Sequence, residues 1–199
     1  MLAGGRATRF GGRPKGLEQV GGVRILDRVV SAVAAAVGER PILVANAPES
    51  SSWRPDLVTV GDRHPRTGSL GGIYTAVLAG DGPVLCVAWD MPFASAALLT
   101  DLVAGARDWD AFLPESDGPR GVEPLCAVYG PACRGPIAEQ LATDDLRVVG
   151  FHARVRVGRL PLARVRGHGE PGELFFNVNT TDDLVRARAL WERRASSRS

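Results

Sequence analysis

Short apolar runs alternate with segments of helical period from the start of the chain to about Asp110, and this alternation restricts the fold more than any other feature. Pro41–Ala45, Leu57–Val60 and Pro83–Ala88 are short, and Pro41–Ala45 and Pro83–Ala88 are continuously apolar, as strands covered on both faces are. Met1-Leu2-Ala3 reads as the end of another such strand, so the chain is expected to begin a few residues into it, with Met1 at an internal apolar position. Between these runs, Ile25–Val37, Ile73–Ala79 and Ala94–Ala106 read as helices, and Gly38 is placed to end the first of them. Strands alternating with helices predict an α/β fold, with a mostly parallel central sheet and helices on both faces. Ligands of such sheets sit beyond the carboxyl ends of the strands. The residues after Ala3, together with Asn46, Asp62 and Asp90, fall at that edge.

The segment from Gly4 to Lys15 combines glycines with Arg6, Arg9, Arg13 and Lys15. Glycine lets a backbone turn with positive φ and approach a ligand without a Cβ in the way. Successive N–H groups can then form an anion-binding concavity, to which the fixed cations add charge. The chemistry suits a nucleoside triphosphate. It is neither a Walker A loop, since Pro14 precedes Lys15 and Gly16 follows it, nor a dinucleotide fingerprint with G-x-G-x-x-G spacing. The alternative is a basic surface turn. A second glycine-rich basic stretch, Arg63–Gly72, opens the helix at Ile73, and there Gly71 and Gly72 would let a ligand approach a helix N-terminus.

After Asp110 the pattern changes. Asp110–Pro114 and Pro124–Tyr129 are strands with no helix between them, joined by a polar loop from Glu115 to Val122, which predicts an antiparallel excursion. Ala132–Leu141 is expected to be a helix. Arg154–Val165 contains Pro161 and reads as short or edge strands, and Gly167–Gly172 as a flexible loop. Thr180 or Thr181 is expected to cap a closing helix with Asp182 and Asp183 in its first turn. The expected organisation is a single domain over 1–192, with a nucleotide-binding half to 110, an acceptor half from 111, and a flexible tail over 193–199.

A net charge of +2 with dispersed basic residues gives no argument for nucleic acid, and no run is apolar enough for a bilayer. The start lacks a charged n-region and long h-region, so a reducing cytoplasm is expected. Three cysteines without C-x-x-C spacing point away from a disulfide framework, and Cys86 and Cys126 read as small core residues. His64, His152 and His168 lack metal-ligand spacing, and no G-x-S-x-G occurs. Asp90, at a strand end before Pro92, could hold Mg²⁺ against nucleotide phosphates or be a turn residue. Asp62 and Asn46 are either turn residues or readers of a base or ribose edge.

Taken together, these motifs resemble a known family. Leu2-Ala3-Gly4-Gly5-x-x-x-Arg9-Phe10-Gly-x-x-x-Lys15 is similar to the signature of small nucleotidyltransferases related to molybdenum cofactor guanylyltransferase. Gly68–Ile73 resembles the family's G-P-L-A-G loop, Asp90-Met91-Pro92-Phe93 its D-x-P-F metal motif, Pro124–Tyr129 its P-x-x-A-x-Y strand, and Asn177-Val178-Asn179-Thr180 its N-V-N-T ending. The resemblance implies a Rossmann-like nucleotidyltransferase fold. It also implies Mg²⁺-dependent transfer of GMP from GTP to the terminal phosphate of molybdopterin or the molybdenum cofactor, with release of pyrophosphate. By the same resemblance Leu2, Ala3 and Gly4 meet the guanine side, and Gly5, Arg9 and Lys15 hold phosphates. Asn46 and Asp62 contact guanine or ribose, Gly71 belongs to the nucleotide loop, Asp90 is the Mg²⁺ ligand, and Asn177 and Asn179 face the pterin substrate. Arg9, Lys15 and Asp90 are the implied catalytic residues. Gly5 carries the choice of guanine over cytosine, and Trp89 stands where the family commonly has a small residue. Transient contact with cofactor-biosynthesis proteins or molybdoenzymes is the expected protein partnership. Two alternatives stay open: a cytidylyltransferase or other nucleotidyltransferase with a small phosphorylated acceptor, and a non-catalytic GTP-binding module in cofactor assembly or delivery.

Overall fold

The computed structural model describes residues 1–4 and 14–196. Gly5, Arg6, Arg9 and Arg13 of the first loop lie outside the described residues. Strand β1 (Leu2–Ala3) leads to a two-stranded hairpin, β2 (Gln19–Val20) and β3 (Val23–Arg24), and then to helix α1 (Ile25–Val37). There follow β4 (Leu43–Ala45), the one-turn helix α2 (Ser50–Trp53), β5 (Thr59–Val60), α3 (Gly68–Ala79), β6 (Val84–Val87) and α4 (Ala96–Gly105). The second half comprises β7 (Ala111–Pro114), β8 (Cys126–Tyr129), α5 (Arg134–Ala142), β9 (Val157–Leu160), α6 (Leu162–Arg166), α7 (Pro171–Leu174) and α8 (Thr181–Ser196).

The strands form two sections, β5-β4-β1 and β6-β8-β7-β9, joined by a parallel bridge between Leu2 and Ala88. The backbone N–H of Trp89 donates to Leu2 O at 3.1 Å across the same seam. β1, β4 and β5 pair in parallel, and in the second section β8 runs antiparallel to both neighbours. β9 pairs in parallel with β7 at the edge. The antiparallel excursion therefore lies inside the sheet: β7 and β8 form the expected pair, but β8 inserts beside β6.

Period-2 alternation sends neighbouring residues to opposite faces. Leu43, Ala45, Val87, Phe112 and Val128 pack in one core with Val29, Val33, Leu98, Leu99 and Leu184 of α1, α4 and α8. Val44, Cys86, Ala111, Ala127 and Tyr129 pack in the other with Leu70, Ile73, Val77 and Ile137 of α3 and α5. Each fully buried aliphatic side chain contributes about 1.5–3 kcal/mol, which is why strands this short hold their register. All three cysteines are free and buried. Burial pushes the thiols of Cys86 and Cys133 up to about 12 and about 11, and that of Cys126 higher still.

Gly38 ends α1 at φ 76°, as its left-handed position requires. Thr180 caps α8: Asp183 N donates to Thr180 Oγ1 at 3.1 Å, and Asp183 Oδ2 accepts from Thr180 N at 2.9 Å, a reciprocal capping box. Three expectations need correction. Pro161 does not mark a further strand, because it stands at the start of α6, where its missing N–H would have no intrahelical partner. Pro171 opens α7 inside the stretch expected to be a flexible loop. Helix α8 continues to Ser196, past the point where a tail was expected. Among the described residues no helix is long and apolar enough to cross a membrane.

His152 lies in a 3-10 turn over Gly150–Arg154, edge-on to Phe151 at 4.8 Å between ring centroids. Its Nε2 is buried without a hydrogen-bond partner among the described residues. Burial, reinforced by Arg159, pushes its pKa from 6.5 down to about 4. An unfolded chain therefore takes up this proton first as the pH falls, so the stability is complete above about 6.5 and is lost towards 4. Between pH 7 and pH 4.5 the His152→Gln variant is expected to lose about 2 kcal/mol less stability than the parent, allowing for solvent screening. Urea unfolding at the two pH values checks this, and equal losses would refute it.

Candidate active site

The parallel pairing puts the ends of β1, β4, β5 and β6 on one edge. Two polar groups form there. The first is at the end of β6, where Ala88 holds the bridge to β1 and the chain turns at Trp89-Asp90. The Asp90 residue is only 6% exposed. Its Oδ2 pairs with Lys15 Nζ, and the same ammonium donates to Asn179 Oδ1 at 2.7 Å. Asp90 Oδ1 is buried with no hydrogen-bond partner among the described residues.

Local structure explains how these three groups meet. Lys15 opens a 3-10 turn, Lys15–Leu17, closed by Leu17 N to Pro14 O at 3.0 Å and Glu18 N to Lys15 O at 3.2 Å. Asn179 arrives from the far end of the chain because Val178 N donates to Asp90 O at 2.9 Å, while the Thr180 cap fixes the chain direction immediately after it. Lys15 is the only lysine in the chain, among 24 basic residues. A compact ammonium can turn its three donors towards oxygens in any direction from one point, whereas the donors of a guanidinium are fixed in one plane.

The second group lies beyond β4 and β5. Asp62 N donates to Asn46 Oδ1 at 2.8 Å. Asp62 Oδ1 accepts from His64 N and from Thr75 Oγ1, both at 2.9 Å. The described bonds converge on Oδ1, so Oδ2 is left as an acceptor and the Asn46 amide NH₂ as a donor. Gly71 is buried beneath this loop. A Cβ on it would lie 2.0 Å from Thr67 Oγ1, 2.9 Å from His64 O and 3.2 Å from Asp62 Oδ2. Its glycine is thus required by the fit of α3 under the Asp62 loop, and Gly68–Gly72 form the start of α3 itself. The strand order puts three strand spacings, about 14 Å, between the ends of β5 and β6.

Leu2, Ala3 and Gly4 lie between the two groups, at the end of β1. Asn177 does not share the contact of Asn179, because its Nδ2 bonds Phe175 O at 2.9 Å. Gly5 and Arg9 lie outside the described residues. One carboxylate was not among the sequence candidates. The bond from Ala88 N to Leu125 O, 2.8 Å, continues the β6–β8 pairing and brings Glu123 level with Asp90. Burial pushes the Glu123 carboxyl up, and the charge of Asp90 acts in the same direction against its bond from Leu125 N and the charge of Arg120. Its only sequence signal was a carboxylate immediately before the predicted strand Pro124–Tyr129; its place beside β6 comes from the pairing alone. A cleft of about 630 Å³, lined by Arg28, Phe93, Trp191 and Arg194 among others, has none of the polar residues of these two groups on its walls.

Comparison with known proteins agrees with this fold. Residues 1–156 match the family model described as the MobA-like NTP transferase domain. A probable molybdenum cofactor guanylyltransferase from Pelotomaculum thermopropionicum is 32% identical over 199 residues, covering 100% of this chain and 95% of the relative. A molybdenum cofactor guanylyltransferase from Desulfosudis oleivorans is 32% identical over 95% of this chain and 93% of its own. Among solved structures, molybdopterin-guanine dinucleotide biosynthesis protein A from Archaeoglobus fulgidus superposes with a TM-score of 0.80 at 25% identity, covering 96% of this chain and 97% of that one. The shared fold, the polar groups along one sheet edge and full-length similarity lead to one assignment: the chain belongs to the family of MobA-like NTP transferase domains, and is a nucleotidyltransferase.

Proposed function

We propose that this protein transfers GMP from GTP to the terminal phosphate of molybdopterin or its molybdenum-loaded form. An oxygen of the acceptor phosphate attacks the α-phosphorus in line, a new P–O–P bond forms, and pyrophosphate leaves with the electrons of the α–β bond. The acceptor is already an anionic nucleophile, so the chain need not supply a base. The observation that carries this reading is the convergence of Lys15, Asp90 and Asn179 at the edge that also holds Asn46 and Asp62. A nucleotide laid along that edge has its base at one group and its phosphates at the other.

At the base end, a free carboxylate oxygen beside an amide NH₂ suits an edge with both an N–H donor and a carbonyl acceptor, as guanine has. Open space beside Gly4 leaves room for a purine there, with Leu2 and Ala3 bordering it; the choice of guanine over cytosine is assigned to Gly5. At the phosphate end, Lys15 and Arg9 hold the charge that develops on the transferring and leaving phosphates. Asn179 faces the acceptor side, while Asn177, bonded to the Phe175 carbonyl, supports the turn that delivers it. Asp90 fits a divalent cation such as Mg²⁺: Oδ1 is buried and unpartnered, and Oδ2 and Asn179 Oδ1 already converge on one positive charge. When bound there, the cation would supply Lewis-acid neutralisation of the phosphates. No group of three metal-ligating side chains gathers among the described residues, in keeping with a cation that takes its other ligands from substrate and water. A cytoplasmic setting, where free thiols persist, accords with the three unpaired cysteines.

Incubating the purified protein with Mg²⁺ and molybdopterin and supplying GTP or CTP in turn tests the reading. Acceptor-dependent pyrophosphate release is expected with GTP, at a rate at least about tenfold above that with CTP, equivalent to about 1.4 kcal/mol of discrimination. Faster release with CTP would reassign the base. GTP binding without any pyrophosphate would favour a non-catalytic carrier.

A further inference from the structure

We infer that Trp89 is a positioning residue for Lys15, acting through Gly16; the inference rests on the proposed phosphate role of Lys15. Trp89 and Asp90 are successive residues, and so are Gly16 and Lys15. The Asp90 carboxylate takes the Lys15 ammonium, while the Trp89 indole lies against Gly16. A Cβ built on Gly16 would fall 2.3 Å from Trp89 Cε3, 2.7 Å from Cδ2 and 2.8 Å from Cζ3. No side chain beyond hydrogen fits there, so the indole fixes how closely the Lys15 turn approaches β6.

The indole is itself held in place. Trp53 stacks on it with ring centroids 4.8 Å apart and planes at 18°. Trp89 N is tied to Leu2 O, and the Trp53 carbonyl accepts from Arg24 Nη1 at 3.1 Å. Trp89 and Trp53 are 4% and 7% exposed. Trp89 Nε1 is buried with no partner among the described residues, so a ring without that N–H would desolvate more cheaply. What the indole adds is reach, because Cε3 and Cζ3 belong to the outer, six-membered ring. A lysine stem has four carbons and much rotamer freedom. Clamping its backbone beside its carboxylate partner limits where the ammonium can go, and small misplacements of a phosphate-holding group are costly in rate.

The test is a double-mutant cycle on the full chain with Gly16→Ala, Trp89→Ala and the pair, read in two ways. The first is kcat and KM for GTP with Mg²⁺ and molybdopterin, corrected for the folded fraction. The second is the rate at which acetic anhydride labels Lys15, followed by mass spectrometry; as the only lysine, it gives an unambiguous side-chain signal. Each single variant is expected to lower kcat by about 10- to 100-fold while KM changes less than about threefold, and to raise Lys15 labelling several-fold. In the double variant, adding Gly16→Ala to Trp89→Ala is expected to change kcat by less than about twofold, because the ring that the new Cβ would strike is gone. Unchanged labelling in both single variants, or losses that multiply in the double, would overturn the inference. Absence of turnover in the parent protein would instead count against the proposed function, and the labelling rates would still decide the role of Trp89.

Discussion

Asp90→Ala is expected to release pyrophosphate at less than about one-thousandth of the parent rate, a loss of about 4 kcal/mol in transition-state stabilisation, while remaining as stable as the parent or slightly more so. The two halves of this prediction have one cause. Asp90 is buried at the strand end with Oδ1 unpartnered. An unpaired carboxylate oxygen costs the folded state free energy, and removing it returns that cost. The backbone contribution is kept, because Val178 N bonds the Asp90 carbonyl and not its side chain. Lys15, freed of its partner, still has Asn179 and access to water. GTP affinity measured without divalent cation is expected to hold or improve, since a negative charge facing the triphosphate has been removed. Urea unfolding, calorimetric GTP binding and pyrophosphate release separate these effects. Turnover close to that of the parent in a folded Asp90→Ala protein would remove Asp90 from the mechanism.

Why Asp90 could be found from sequence, and Glu123 could not, has a physical explanation. Pro83–Ala88 is the most strand-like apolar run in the chain, and a carboxylate at the end of a parallel strand falls on the ligand edge of the sheet. Glu123 reaches the same place from an antiparallel strand, whose position beside β6 depends on long-range pairing that no local pattern encodes. The contact between Lys15 and Asn179 is the extreme case, its partners separated by 164 positions in the sequence. Asn177 and Asn179 looked equivalent in the sequence, yet one closes on its own backbone and the other on the site.

Short elements leave no local signal for a different reason. α2, α6 and α7 each span one turn or little more, too few residues for a 3.6-residue period to show, and they form because tertiary packing holds them. The β2–β3 hairpin could have been read. Gly21 and Gly22 both have positive φ, 59° and 75°, as a two-residue turn with the twist of a hairpin requires, and Gly-Gly between Val20 and Val23 is the pattern for it. That hairpin returns the chain from the Lys15 turn to α1, and Ile25 N donates back to Glu18 O at 2.9 Å. It is therefore part of what ties the Lys15 turn to α1.

Lys15→Ala is expected to lower kcat by about 10²- to 10³-fold, the range for removing one preorganised charge from a transition state. Unlike the loss of Asp90, it is also expected to destabilise the fold, by about 3 kcal/mol. The asymmetry follows from burial. Without Lys15 the Asp90 side chain, 8% exposed, has no hydrogen-bond partner for either oxygen among the described residues. Without Asp90 the ammonium, 16% exposed, can still be solvated. The Lys15→Ala/Asp90→Ala double variant is therefore expected to regain most of the stability that Lys15→Ala lost, and to be no slower than the worse single variant, since both act on the same phosphates. Lys15→Arg makes the sharper distinction. Charge is conserved, and the chain uses arginine for every basic side chain but this one. A guanidinium is planar, longer and bulkier than an ammonium, so meeting Asp90 Oδ2 and Asn179 Oδ1 with it requires the Lys15 turn, held at Gly16 against the Trp89 ring, to shift. Lys15→Arg is thus expected to keep GTP affinity within about threefold and to lose at least about tenfold in kcat, separating a need for positive charge from a need for an ammonium at that point. Equal kcat for Lys15→Arg and the parent would mean that charge alone suffices there, and that the close fit of the Lys15 turn to β6 does nothing for the rate.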